Sequence, residues 1–258
     1  QLKIPLPPIN EQQRIVERIE SLFVKLDRAK ELIENTLAQF EQNKMAILHK
    51  AFIGELTAKW RKENNIDLSS WQEKTIDELC TSLKYGTSEK SKPEGSVVVL
   101  RMGNLQNGEI DWSNLMYTDD KDDIEKYLLK KGDVLFNRTN SKELVGKTCV
   151  YNRNDTMVLA GFIIRIRVNE NILPVFLAMF LNMDFSKTML KEMCKSAIGQ
   201  ANINATELQK IRIILPPIEL QEEFVEFKNQ TDKSKLEIEK SLDKLEILKK
   251  SLIQKYFG

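Results

Sequence analysis

The chain has 258 residues, of which 39 are Lys or Arg and 38 are Asp or Glu, giving a formal net charge of +1. A phosphate-binding surface must therefore be a local basic patch, because the whole chain carries no strong field. The three cysteines (Cys80, Cys149 and Cys194) form no C-x-x-C pair, and His49 is the one histidine. This excludes a zinc site of ordinary spacing and indicates a reducing, cytoplasmic compartment. No apolar run reaches the roughly 18 residues of a membrane span.

A proline-paired corner occurs twice in the chain. Residues 6–16 are LPPINEQQRIV and residues 215–225 are LPPIELQEEFV, and each copy follows a short apolar run. Paired prolines cannot continue a strand ladder, so each copy predicts a strand-to-helix corner. In the first copy, Asn10 is a good N-cap and Gln13 stands at capping-box spacing. Such self-similarity indicates a duplicated unit.

The first corner is followed by a predicted helix from Asn10 to about Phe52, which contains no glycine or proline. Apolar residues recur at alternating three- and four-residue spacing, which predicts a coiled coil about 65 Å long. His49 is expected to be solvated or at the edge of the apolar seam, rather than catalytic. The predicted seam consists of Ile15, Ile19, Leu22, Leu26, Ala29, Ile33, Phe40 and Ile47.

A polar linker is predicted at 62–70, and from Trp71 the periodicity changes to short β-branched runs separated by turn signals. The predicted strands are 96–101, 133–136, 147–151 and 157–168, and the predicted helices are 122–129, 174–183 and 185–197. The sequence thus predicts an α+β fold with a small mixed α/β domain. The predicted domain boundaries of the chain are 1–70 for the first helical region, 71–215 for the globular domain and 216–258 for the second helix.

The second corner opens another predicted helix that runs to the C-terminus. Its predicted seam consists of Phe224, Phe227, Ile238, Leu242, Leu245, Leu248 and Leu252. Two such seams, separated by a domain whose ends lie close together, are expected to pair as an antiparallel coiled coil.

These motifs, taken in order, resemble the specificity subunit of Type I restriction–modification enzymes. The first corner matches the family's "PLPP-x-x-EQ" pattern through Glu11 and Gln12, whereas the second has Leu220 where the family usually has Glu. Further matches lie at 50–61 (KAFIGELTAKWR), 132–138 (GDVLFNR), 145–147 (VGK), 173–177 (LPVFL) and 197–203 (AIGQANI).

The resemblance implies a target-recognition domain that reads one half of a split DNA target, with the coiled coil acting as a ruler. It implies double-stranded DNA and methyltransferase subunits as partners, and through the latter the restriction subunit. No membrane partner is expected, because no apolar run is long enough to span a membrane, and self-association is expected if the chain is a half-subunit. Residues 1–4 resemble the end of a preceding domain.

No motif for catalysis is found. A methyltransferase acting on an exocyclic amine needs N/D-P-P-aromatic, but both Pro-Pro pairs here follow Leu and precede Ile. There is no G-x-G-x-x-G or Walker loop, so no nucleotide cofactor is expected. The acidic run 119–123 could be imagined as a metal site, but it better fits a solvated helix start. We therefore expect neither an enzyme nor a metal.

Three polar segments are candidate DNA contacts, because Arg and Asn can discriminate base edges while Ser, Thr and Lys suit phosphates. The candidates are Arg138, Thr139, Asn140, Ser141 and Lys142 in the first segment, Gln200, Asn202 and Asn204 in the second, and Lys84, Tyr85 and Thr87 in the third. Arg165 and Arg167 alternate with isoleucines, so we expect them on one sheet face that meets solvent or phosphates.

Two other interpretations stay open at this point. The chain could be the C-terminal recognition region of a fused restriction–methylation enzyme. It could also be a coiled-coil adaptor that binds no nucleic acid, although the polar segments speak against this.

Overall fold

A computed structural model describes residues 6–55, 58–63, 71–197 and 200–257. They form two compact units: a helical unit, Gln1–Ile47 with Phe227–Gly258, and a globular unit, Leu48–Glu226. The domain boundaries given above remain a prediction. Most of the expected linker and the segment expected to end a preceding domain lie outside the described residues.

Seven helices and fourteen strands lie within the described residues. The helices are α1 (Ile9–Phe52), α2 (Ala58–Glu63), α3 (Lys121–Tyr127), α4 (Pro174–Asn182), α5 (Asp184–Met193), α6 (Ala205–Gln209) and α7 (Ile218–Phe257). The strands are β1 (Gln72–Thr75), β2 (Cys80–Tyr85), β3 (Val97–Leu100), β4 (Leu105–Gln106), β5 (Glu109–Ile110), β6 (Met116–Thr118), β7 (Val134–Asn137), β8 (Thr139–Asn140), β9 (Thr148–Val150), β10 (Met157–Leu159), β11 (Ile163–Val168), β12 (Lys195–Ala197), β13 (Gln200–Asn202) and β14 (Arg212–Leu215). No described helix combines the length and apolarity that a membrane crossing needs.

In the helical unit, α1 and α7 run antiparallel. Four ion pairs join them: Asp27–Lys249 at 2.6 Å, Lys30–Glu246 at 2.9 Å, Glu41–Lys235 at 2.8 Å and Lys44–Asp232 at 2.5 Å. Each step forward along α1 is matched by an equal step back along α7, so the register is constant. Three of these pairs are exposed and contribute only about 0–1 kcal/mol each, so they set register more than stability, whereas Lys44–Asp232 is partly buried.

The apolar seam between the helices follows the predicted spacing except at Ile15 and Leu248, which are 37% and 50% exposed. Ile19 is buried, and Leu26 and Leu245 line a shared cleft. Leu248, however, is 50% exposed, so its assignment to the seam was wrong. One turn after Leu245 comes Lys249 instead, whose ammonium lies 5.9 Å from the centre of the Phe23 ring. A lysine stem can cover apolar surface while its charged end stays in water.

We expect Leu26→Asp and Leu245→Asp each to lower the melting temperature of the chain. Both leucines are half-buried in the seam, and losing their burial costs about 1–2 kcal/mol before the carboxylate is counted. The matched control is Val24→Asp, because Val24 is an apolar residue of the same helix with 67% of its surface exposed. Thermal unfolding measures the melting temperature of each variant, and light scattering measures its oligomeric state. Unchanged melting with an altered oligomeric state would place the pairing between chains.

In the globular unit, the central sheet has the order β2-β11-β7-β9 and is antiparallel throughout. A second sheet has the order β10-β3-β6, with β10 parallel to β3. The predicted strand 157–168 is therefore two strands in different sheets. The break falls at Gly161, whose N–H donates to the carbonyl of Thr87 at 2.6 Å, and a Cβ there would lie 3.0 Å from the same oxygen. The pattern predicted one strand because both halves are apolar.

The two ends of the globular domain are paired with each other. β1 lies antiparallel to β14, and Gln72 stands opposite Leu215. At the corner that follows, Gln221 is fully buried. Its Nε2 donates to the carbonyls of Asn171 and Pro216, and its Oε1 accepts from the Leu173 N–H at 2.9 Å. The glutamine of the corner thus fastens the start of α7 to the loop before α4.

The end of α1 belongs to the same core. Phe52 lies 4.8 Å from Phe176 and 6.2 Å from Phe224 between ring centres. α1 ends where Gly54 takes a φ of 76°, which favours glycine, and its carbonyl accepts from Arg61 Nη2 at 2.6 Å. His49 is exposed and meets the Phe185 ring edge-on at 6.1 Å.

The acidic run at 119–123 begins a helix, as predicted. Asp120 is the N-cap of α3 and accepts from the Asp123 N–H at 2.9 Å. Asp119 accepts from the Ser96 N–H, and this bond lowers the pKa of its carboxyl. Among the described residues, no group of three or more His, Cys, Asp or Glu is placed to hold a metal ion.

Candidate nucleic-acid interface

Two of the three polar segments meet through strand pairing. β8 and β13 are antiparallel, with Thr139 opposite Asn202. The hydroxyl of Thr139 lies 3.1 Å from Asn202 Oδ1 and donates to it. The Ile203 N–H donates to the carbonyl of Arg138 at 2.9 Å. A short sheet therefore brings together residues that are about sixty positions apart in sequence.

The third segment joins them through Tyr85 at the end of β2. The guanidinium of Arg138 lies over the Tyr85 ring, 4.8 Å from its centre. The Tyr85 hydroxyl accepts from the Ala205 N–H at 2.8 Å, which fixes the ring beside the second segment. Tyr85 keeps 40% of its surface exposed, and Lys84 beside it is exposed as well. The three segments thus share one site, which we call the Arg138–Tyr85 site.

Arg138 is held in place but has donors to spare. Its Nη1 lies 3.5 Å from the Gly161 carbonyl, the outer limit of a hydrogen bond. Its Nε is buried and has no hydrogen-bond partner among the described residues. A ligand could not reach this buried atom, so the donors left for a ligand are on the terminal nitrogens of the guanidinium. Stacking on Tyr85 orients the fork before any ligand arrives.

Three predicted residues use their side chains within the fold. Thr87 is 3% exposed, and its hydroxyl donates to the Asp123 carboxylate. Thr139 is 7% exposed and bonds to Asn202 as described. Asn204 is the N-cap of α6 and accepts from the Glu207 N–H at 2.9 Å. These side chains shape the site rather than extend from it.

The remaining predicted residues lie around a turn. Asn140 is half-buried, and its Oδ1 accepts from the Ser141 N–H at 2.9 Å, which leaves the amide nitrogen as a donor. The Ser141 carbonyl accepts from the Val145 N–H, and Lys142 is exposed. Gln200 belongs to β13, but its side chain lies outside the described residues.

The expectation for Arg165 and Arg167 was right about their shared face of β11 but wrong about its surroundings. The protein itself covers most of that face, and Arg167 keeps only 26% of its side chain exposed. Arg165 is 3% exposed, and both guanidinium groups donate to the Leu128 carbonyl. Arg167 also makes a two-pronged ion pair with Asp133, whose carboxylate is 2% exposed. The alternation was read correctly, but the sequence does not show that a loop and Asp133 cover the face.

Lysines near the Arg138–Tyr85 site were not predicted. Lys187 extends from α5 and donates to the Gly146 carbonyl, in the turn that follows Lys142. Lys191 stands one turn later on the same helix. The sequence does indicate a basic helix face here, because Lys187 and Lys191 stand four residues apart on a helix whose other face is apolar.

The family of the chain follows from residues 69–249, which match the model of the Type I restriction modification DNA specificity domain. The chain belongs to this family. The match covers the globular domain and most of α7.

Known members have the same fold. The chain is 26% identical to the EcoKI specificity subunit of Escherichia coli strain K12 over 99% of its own length and 57% of that protein. The solved HsdS subunit from Thermoanaerobacter tengcongensis superposes with a TM-score of 0.63 at 22% identity, covering 98% of this chain and 60% of that one. A solved chain of the type I R-M system gives a TM-score of 0.70 at 21% identity, with 98% and 60% covered. The chain thus spans less than two thirds of these relatives, and the predicted fold class is confirmed.

Proposed function

We propose that this chain is a non-catalytic DNA sequence-recognition subunit of a Type I restriction–modification system. The observation that supports it most is the convergence of three separate polar segments on Arg138, whose guanidinium is stacked on Tyr85. Arginine with its donors free can fork onto the O6 and N7 acceptors of guanine. Asn140 and Asn202 stand beside it as donors for adenine. Lys84 and Lys142 are exposed cations suited to phosphates.

We infer that the globular domain reads one half of a bipartite target, and that a second recognition domain seats on the first corner. The two corners support the second inference, because they make the same hydrogen bond but differ in how deeply their apolar residues are buried. Gln12 Nε2 donates to the Pro7 carbonyl at 2.7 Å, just as Gln221 Nε2 donates to Pro216, so both glutamines make the same bond.

The surroundings of the two corners differ in burial. In the second copy Leu215 and Phe224 are 8% and 4% exposed, because the globular domain covers them. Their counterparts in the first copy, Leu6 and Ile15, are 79% and 37% exposed. A domain with a loop like Asn171–Leu173 would satisfy Gln12 and bury both apolar side chains.

We further propose that the helical unit docks methyltransferase subunits. Apolar residues outside the seam support this, because exposed apolar surface on a helix pair is typical of an interaction face. They are Val16, Val24, Leu32, Leu236 and Ile247, each 49–67% exposed. A subunit that directs methylation of chromosomal DNA would act in the cytoplasm.

A reconstitution tests the function. The chain alone should transfer no methyl group to DNA, and the methyltransferase subunit alone should methylate without selectivity or not at all. The two together should methylate one defined sequence, with the radiolabel mapped by restriction fragments. Methyl transfer by the pure chain would contradict the non-catalytic role, and unselective methylation by the mixture would contradict sequence recognition.

A further inference from the structure

Four lysines surround the turn that ends at Gly146. The ammonium of Lys187 donates a hydrogen bond to the Gly146 carbonyl, and Thr148 Oγ1 donates one to the same oxygen at 3.0 Å. Lys147 donates to Gln106 Oε1 at 2.6 Å, so it also has a neutral acceptor. Lys191 follows Lys187 on α5, and Lys142 opens the turn; both are exposed. We call this set the lysine cluster.

The charges that act on Lys187 itself are positive. The cations acting on Lys187 are Lys147 from the turn and Lys191 from its own helix. Glu143 is the carboxylate of the turn. Its pKa is lowered by hydrogen bonds to its own backbone and to Ser141, and further by the charges of Lys191 and Lys142, which it partly balances. α4, which packs against α5, carries no ionisable residue, and α1 meets α5 through His49 and Phe185.

This arrangement disfavours the charged form of Lys187. Burial, followed by repulsion from Lys147 and Lys191, lowers the pKa of Lys187 to about 8. An ammonium bonded only to neutral groups among other cations is poorly stabilised, and an oxyanion would relieve both the desolvation and the repulsion. Groups perturbed in this way are found preferentially at functional sites.

We propose that the lysine cluster binds a phosphate of the DNA backbone, and that Lys187 takes up a proton as the phosphate binds. The inference rests on the proposed function and adds a backbone contact with its own pH dependence. The phosphate would sit beside Lys187 and Lys191, whose charges repel each other in the free chain, while the Arg138–Tyr85 site meets the bases. No covalent bond is made or broken, since the proton comes from solvent.

The sign of the pH dependence follows from the two protonation states. Below pH 7, Lys187 is already charged in the free chain, so binding takes up almost no proton. Near pH 8 about half a proton is taken up, and near pH 9 about 0.9, provided that the bound pKa returns toward 10.5. Affinity should therefore fall as the pH rises through 8, by up to tenfold per unit.

The experiment uses the full chain and a random-sequence duplex. Titration calorimetry in two buffers of different ionisation enthalpy gives the protons taken up at each pH. Lys187→Met should abolish the uptake and lower the slope of log K against log salt by about one unit at neutral pH. Lys126→Met is the control, because Lys126 is an exposed lysine on α3, and it should leave the proton uptake unchanged.

A second variant keeps the test decisive if Lys187→Met does not fold. Lys191→Met removes one repelling cation, so the pKa of Lys187 should rise and the uptake at pH 8 should decrease. Binding by the parent chain with no proton uptake, or unchanged uptake in both variants, would overturn this inference and leave sequence recognition intact. Absence of DNA binding in the parent chain, with or without the methyltransferase, would overturn the proposed function itself.

Discussion

Asp133→Ala should destabilise the globular domain by about 3–5 kcal/mol, the largest effect we expect from a single substitution. The Asp133 carboxylate accepts from Arg167 Nε at 2.7 Å and Nη2 at 3.2 Å, and from the Lys130 N–H at 2.7 Å. Removing it leaves Arg167 unpaired next to Arg165, which is 3% exposed. The pKa of Arg165 is already lowered by burial and then by Arg167, so the site has no spare charge compensation.

The matched control is Asp155→Ala. Asp155 pairs with Arg153, but both side chains are about half exposed, so this pair should contribute no more than about 1 kcal/mol. Thermal and urea unfolding of both variants give the comparison. At roughly 2–4 °C per kcal/mol, Asp133→Ala should melt about 6–20 °C lower than the parent chain. A loss no larger than that of the control would show that the arginine face is held by its carbonyl contacts instead.

Arg138→Ala should cost roughly 1–3 kcal/mol on the specific DNA site and little on random DNA, which flattens the preference between sequences. The physical reason is that a guanidinium forked onto a base rewards one base over the others, whereas a phosphate contact rewards all alike. Arg138→Lys should keep most of the random binding and weaken the preference, since a flexible ammonium lacks the fixed, planar fork of a guanidinium.

Lys142→Ala is the contrasting variant. If Lys142 only neutralises a phosphate, its loss should weaken specific and random duplexes equally and reduce the salt slope by about one unit. Both variants should be measured by equilibrium binding with the methyltransferase present. Equal losses on both duplexes for Arg138→Ala would make it a backbone contact, and no loss on either would remove its loop from the interface.

The long-range organisation of the chain could be predicted because its signals are local and repeated. Each of these signals acts on the residues that carry it: the Pro-Pro corners start the helices, the glycine-free run after Asn10 continues the first one, and the heptad spacing defines the apolar seams. Both helices and their antiparallel pairing could therefore be predicted. Leu248 was misassigned because spacing alone does not show which of two neighbouring residues faces a partner. The lysine stem of Lys249 covers the seam there.

The candidate site could be predicted only as separate segments. Nothing in residues 138–142 shows that β8 pairs with β13, because the pairing joins strands of two or three residues across some sixty positions. The role of Asn204 as a helix cap was visible in its spacing from Glu207, but its polar neighbours favoured a base contact. Arg165 and Arg167 carried the right alternation, and only the fold shows that Asp133 and the Leu128 carbonyl cover them.

Selection from a random duplex library tests the central claim, that this chain reads a DNA sequence through the Arg138–Tyr85 site. The chain is mixed with its methyltransferase subunit, bound duplexes are recovered and sequenced, and Arg138→Ala is carried through the same rounds. We predict that the parent chain enriches one contiguous motif and that Arg138→Ala loses the preference at a guanine within it. Recovery of DNA without any enriched motif, or an unchanged motif in Arg138→Ala, would contradict the account.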